Sequence, residues 1–138
     1  MAVGLTIVVD YGLCNSDSMV RALEECGASK VERTRSPHIV KRADRIVLPG
    51  VGTFAAAMRN LRLWGLLDAV REAIAEGNVP FLGACLGMQL MASSGTEGSS
   101  EGVVEGLNLV EGEITRLESQ NAEERIPHVG WNEVVTVG

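Results

Sequence analysis

The sequence predicts a three-layer α/β domain with a mostly parallel central sheet and an antiparallel extension after residue 102. Three observations carry that expectation. Short apolar runs alternate with stretches of helical periodicity through the first two thirds of the chain, the pattern of strand–helix–strand units. The first run, residues 5–9, is apolar but for Thr6, as expected of a strand covered on both faces. After the polar stretch SSGTEGSSEG, residues 93–102, the helical signal stops, and short runs near Val103, Leu109, Ile114 and Val134 take over.

The elements follow in order. Residues 16–25 place Met19, Val20 and Leu23 at helical spacing, and Cys26-Gly27 supplies the stop. Residues 31–34 form a short second strand. Ser36 and Pro37 fit the N-cap and first position of a short helix. Ile46, Val47 and Leu48 make a third strand, ended by the turn Pro49-Gly50-Val51-Gly52. Helices are expected over 54–61 and 66–76, the second closed by Gly77. Residues 79–82 are a fourth strand, and residues 87–91 open the next helix. The 93–102 stretch is expected to be a surface connector. There is no internal repeat.

Size and charge narrow the function classes. A chain of 138 residues is one domain's worth, long enough for a core without disulfide or metal staples. Its net charge of −6 argues against nucleic acid, which is bound through clustered cations. Arg33, Arg35, Lys41, Arg42 and Arg45 form a local basic stretch, either a solvated face or a patch for an acidic partner. The N-terminus lacks the basic region and cleavage site of a signal peptide, and no apolar run approaches membrane-spanning length. Cys14, Cys26 and Cys85 cannot all pair and match no zinc module, so a reducing cytoplasm and no metal are expected.

Chemistry concentrates at Gly83-Ala84-Cys85-Leu86-Gly87, a small-x-nucleophile-x-Gly pattern between a strand and an apolar helix. A nucleophile on so sharp a turn takes strained backbone angles, and its neighbours must be small. The helix start offers N–H groups and a positive dipole end to a thiolate and to a developing oxyanion. The alternative is a buried core cysteine. Cys26 is expected to pack at a helix end; Cys14 is either structural or lines the site. Gly50, Val51 and Gly52 lie at the C-terminal end of a parallel strand, where ligands of such sheets bind. A backbone N–H of that turn and that of Leu86 make a natural oxyanion hole, although a plain strand-to-helix turn is the other reading.

These stretches have a familiar order. IVVDYG followed by Asn15, LPGVG with Phe54, LGACLGMQL and IPHVGWNEV together resemble the class I (triad-type) glutamine amidotransferases over essentially the whole chain. Within them, PHVGWNEV is similar to the branch that supplies the glutaminase subunit of imidazole glycerol phosphate synthase. The resemblance implies a flavodoxin-like fold and a cofactor-free glutaminase. It would pass ammonia from glutamine to a (β/α)8-barrel cyclase subunit in histidine biosynthesis. It also implies roles. Cys85 would attack the glutamine amide, the Gly50–Val51 backbone with Leu86 would hold the oxyanion, and Gly52 and Gln89 would seat glutamine. Asn15, Ser18, Trp131 and Asn132 would lie at the cyclase interface. Each has a plainer reading: Gln89 exposed, Trp131 in the core.

Some residues depart from the family pattern. The family's catalytic His and Glu lie near the C-terminus of a longer chain. Of the two histidines here, His38 is expected on the surface, and His128 matches a structural or interface position rather than the base. The expectation is therefore one amidotransferase domain, 1–138, without that C-terminal third: a fragment, a chain completed by another, or a non-catalytic partner subunit. Cys14, Ser16 and Ala55 replace commoner family residues, and the glycine-rich 95–102 loop resembles relatives from surface-polysaccharide gene sets. Flavodoxin-like cysteine hydrolases typically carry His after the elbow cysteine, where this chain has Leu86.

Overall fold

The structure is a computed structural model and describes residues 4–119, 125–127 and 129–137. The element order is β1 (Thr6–Val9), α1 (Ser16–Glu25), β2 (Val31–Thr34), α2 (Pro37–Val40), β3 (Arg45–Gly50), α3 (Phe54–Leu63), α4 (Leu66–Gly77) and β4 (Phe81–Cys85). Then come α5 (Leu86–Gln89), β5 (Ala92–Gly95), β6 (Val104–Glu105) and β7 (Val110–Ile114). Strands β2-β1-β3-β4 form an all-parallel sheet in that order, the arrangement of flavodoxin-like folds. The order reverses between β1 and β3, so the loops after these two strands open a crevice at the C-terminal edge of the sheet.

Alternation along the strands sets the layers. Ile7, Val9, Ile46 and Leu48 join Phe54, Met58, Leu61, Leu66 and Val70 of α3 and α4 in one buried cluster. Val8 and Val47 point to the opposite face and are buried outside that cluster, on the side where α1 packs against β1 and β2. Burying such apolar side chains contributes roughly 1.5–3 kcal/mol each.

Local structure departs from the sequence expectation at five places, each with a physical cause. β3 does not stop at Leu48. Pro49 and Gly50 continue it by pairing with Ala84 and Cys85, beyond Val47 where its pairing with β1 ends. Pro49, with no N–H to give, therefore sits where the strand has a single neighbour. Gly77 is the last helical residue of α4, and Asn78 takes the left-handed position at φ 48°. The helix after Cys85 is a single turn, because the returning chain captures its carbonyls. Leu107 N–H donates to Leu90 O at 2.7 Å and Leu109 N–H to Met91 O at 2.8 Å. Residues 93–95 consequently belong to β5 rather than to a loop. Finally, the extension is a mixed sheet, β6-β5-β7: β6 runs antiparallel to β5 and β7 parallel to it. Among the described residues Val134 lies in no strand and is exposed.

Candidate active site at the β4–α5 elbow

Cys85 ends β4 and caps α5 with φ 54° and ψ −117°, a conformation few non-glycine residues adopt. The chain tolerates it because Gly83 and Gly87, two residues away on either side, carry no side chains. A Cβ on Gly83 would sit 2.6 Å from Gly87 O and 2.7 Å from Met88 N. One on Gly87 would overlap the Leu48 carbonyl. The thiol of Cys85 is exposed, which excludes the buried-core reading. Strained backbone at an exposed nucleophile is what a reactive elbow requires.

The PGVG turn lies directly alongside, since Gly50 is the register partner of Cys85. Gly50 is buried, and a Cβ there would collide with the Tyr11 hydroxyl and lie 2.9 Å from Leu86 Cβ and 3.1 Å from Gly87 N. Gly52 turns the chain with φ 103°. Val51 N–H, one of the two expected oxyanion donors, is engaged elsewhere: it donates to the Leu13 carbonyl at 2.8 Å. Gln89 closes α5, half-buried, four residues after Cys85.

The loop after β1 forms the third wall. Asp10 is buried and accepts from Gly12 N–H at 2.9 Å and Arg35 Nε at 3.1 Å. Burial alone would raise its carboxyl, but the Gly12 N–H, the Arg35 guanidinium and the Cys14 thiol bring it below its ordinary value. Arg35 stacks over Trp64 at 5.2 Å, and Asn60 Nδ2 donates to Tyr11 O at 3.0 Å. Cys14 is half-buried, its thiol directed at Asp10 Oδ1 (3.6 Å) and Val9 O (3.9 Å). Burial and the Asp10 charge push that thiol up, which suits a structural group. Tyr11 is fully buried. Burial, together with the nearby Cys14 and Cys85, pushes its phenol up, so it stays protonated.

The remaining residues singled out from sequence are scattered. Asn15 caps α1, its side chain accepting from Ser18 N–H at 3.5 Å, and both are exposed. Trp131 is fully exposed and is not a core aromatic; Asn132 is exposed too. His38 is exposed on α2, and His128 lies outside the described residues. Cys26 caps α1 but is exposed rather than packed. The basic stretch is a solvated face, with Arg33 paired to Asp17 at 2.8 Å and Lys41 to Glu72.

Two participants have no signature in the sequence. Tyr11 appears there only within the stretch IVVDYG, with no role attached to it. Glu97, in what looks like a connector, closes the N-terminus of α3: its carboxylate accepts from Phe54 N–H at 3.4 Å and its carbonyl from Ala55 N–H at 3.0 Å. The connector is therefore docked beside the PGVG turn. The only advance signal was its Glu, a residue that suits a helix start.

An all-parallel sheet with an exposed cysteine on a strained strand-to-helix elbow, paired with a glycine turn, defines an α/β class built on a cysteine elbow. The family model for glutamine amidotransferase class-I matches residues 7–137, and the chain belongs to that family. Subunit HisH 1 of imidazole glycerol phosphate synthase from Campylobacter jejuni (strain RM1221) is 41% identical over 92% of this chain and 61% of its own length. The HisH subunit from Moorella thermoacetica is 46% identical over 92% of this chain and 57% of its own. That from Ruegeria pomeroyi is 43% identical over 95% and 63%. The chain thus spans about three fifths of the length of the curated relatives it matches. Among the described residues no helix is long and apolar enough to cross a membrane.

Proposed function

We propose that this chain carries the nucleophile half of a glutaminase, the ammonia-producing subunit of an imidazole glycerol phosphate synthase. The Cys85 elbow, set in register with Gly50, is the observation that carries the reading. Cys85 Sγ attacks the side-chain carboxamide carbon of glutamine, and the carbonyl π pair becomes an oxyanion. Leu86 N–H, at the start of α5, is one donor to that oxyanion. Val51 N–H is the other, once it leaves the Leu13 carbonyl and turns toward Cys85. The thiol proton, passed through the base assigned below, reaches the amide nitrogen, so that collapse expels ammonia and leaves a thioester. Gly52 shapes the glutamine seat and Gln89 closes it one helical turn beyond the nucleophile.

Thioester hydrolysis needs a base that activates water. We assign that base to sequence in the part of the relatives' length that this single domain, 1–138, does not span. The curated relatives are named as subunits of a synthase, which supports a partner subunit as the ammonia acceptor. In this reading the partner is a (β/α)8-barrel cyclase in the cytoplasm, docked through Asn15, Ser18, Trp131 and Asn132.

The test uses a chloroketone analogue of glutamine on the intact protein, with modification mapped by mass spectrometry. Cys85 is expected to be labelled to completion and protected by excess glutamine, while exposed Cys26 stays largely free. Equal labelling of Cys26 and Cys85 without protection would sink the glutaminase reading.

A further inference from the structure

Among the described residues, the Tyr11 hydroxyl is a buried polar side-chain group without a hydrogen-bond partner. Leaving a donor unsatisfied in the interior is costly, so a buried orphan calls for a reason. Its position supplies one. The hydroxyl occupies the space that a side chain on Gly50 would fill, beside Leu86 Cβ and Gly87 N, beneath the turn that must deliver the second oxyanion donor.

In a trans peptide the N–H and the C=O point in opposite directions. Val51 N–H now points at the Leu13 carbonyl, so the Gly50 carbonyl of the same peptide points away from the β1 loop. Turning this peptide to aim Val51 N–H at the nucleophile carries the Gly50 carbonyl round to the β1 loop. There it would meet the Leu13 carbonyl, and two acceptors would face each other with no proton between them. A donor within reach of the turned carbonyl removes the conflict. The β1 loop holds one against Gly50, unengaged in the present state.

We propose that Tyr11 is a positioning residue whose hydroxyl takes the Gly50 carbonyl when the Gly50–Val51 peptide turns, thereby holding the oxyanion site open. The proposal rests on the glutaminase reading above. It makes the resting state the one with an unsatisfied hydroxyl, and the reactive state the one in which every polar group around Gly50 is paired. A packing role for Tyr11 predicts no such difference between the states, because a packing residue supports both alike.

The substitution Tyr11→Phe removes the hydroxyl and keeps the ring. Two electrophiles on the intact protein separate the roles. A chloroketone analogue of glutamine forms a tetrahedral adduct on the Cys85 thiolate before chloride leaves with the C–Cl electron pair, so its rate depends on the oxyanion donors. Iodoacetamide is displaced at carbon with no oxyanion, so its rate does not. In Tyr11→Phe the maximal chloroketone rate should fall about tenfold, the loss of one carbonyl hydrogen bond, with half-saturation unchanged. The iodoacetamide rate should be unaltered and the melting temperature equal to or above that of wild type. A chloroketone rate matching wild type, or a parallel loss with both reagents together with a lowered melting temperature, overturns the proposal alone. If wild type itself shows no glutamine-protected labelling of Cys85, the glutaminase reading falls and takes this proposal with it.

Discussion

A methyl group on Gly87 would overlap the Leu48 carbonyl oxygen, a backbone atom of the central sheet that cannot step aside. Gly87→Ala should therefore lower stability by about 3 kcal/mol, at the upper end of ordinary overpacking costs, and urea denaturation would measure it. Gly102, whose Cβ direction is open, is limited only by its φ of 98° and should lose about 1 kcal/mol as Ala. Such glycines are legible in sequence because the elbow pattern itself demands small neighbours. Asp10 is only partly legible, since Gly12 N–H lies two residues on while its charged partner Arg35 comes from across the fold. Its folded carboxyl titrates below its ordinary value, so its stabilisation is present above the unfolded value and is lost as pH falls through the folded one. Arg35 is well exposed, so the pair is partly screened and Arg35→Ala should cost about 1 kcal/mol at neutral pH. The variant and wild-type stabilities should converge as pH falls through the folded Asp10 value, below the ordinary carboxylate range, in acid titrations of the melting temperature. A difference that persists unchanged into acid would instead assign Arg35's contribution to its stacking on Trp64.

Helix α3 shows how far element-level patterns reach. Its apolar spacing and its Thr53 cap lie within the local sequence, and Thr53 Oγ1 accepts from Ala56 N–H at 3.4 Å as that pattern implies. The other cap group comes from Glu97, more than forty residues away, and no local pattern encodes such a contact. Thr53→Ala should cost about 1 kcal/mol. Glu97→Ala should cost about 0.5 kcal/mol, because its carboxylate bond is long and its carbonyl bond survives the change. The larger effect of Glu97→Ala should be local, as faster amide exchange at Phe54 and through residues 96–99, measured by hydrogen–deuterium exchange. α5 teaches the complementary lesson. Its apolar residues continue past Gln89, yet the Leu107 and Leu109 N–H groups claim the Leu90 and Met91 carbonyls, so tertiary pairing ends a helix that propensity would extend.

At the scale of the molecule, alternating runs in the sequence give a parallel sheet, whereas the order β2-β1-β3-β4 depends on crossovers that no run encodes. That order leaves β4 at an edge of the sheet among the described residues. A parallel edge strand with one neighbour presents unpaired N–H and C=O groups, and proteins ordinarily cover or charge such edges. β4 carries neither protection: its sequence is FLGAC, and Leu82 is about half exposed. Nearby, Met88 and Val110 are also exposed, and with Met91 and Ile114 they line a shallow groove of about 320 Å³. The 138-residue chain on its own should therefore self-associate through this edge. Sedimentation velocity should show mass rising with concentration, and Leu82→Lys should shift the population toward monomer by placing a charge on the edge strand. A chain that sediments as a monomer at every concentration, and melts cooperatively, would mean that the β4 edge is protected within the chain itself.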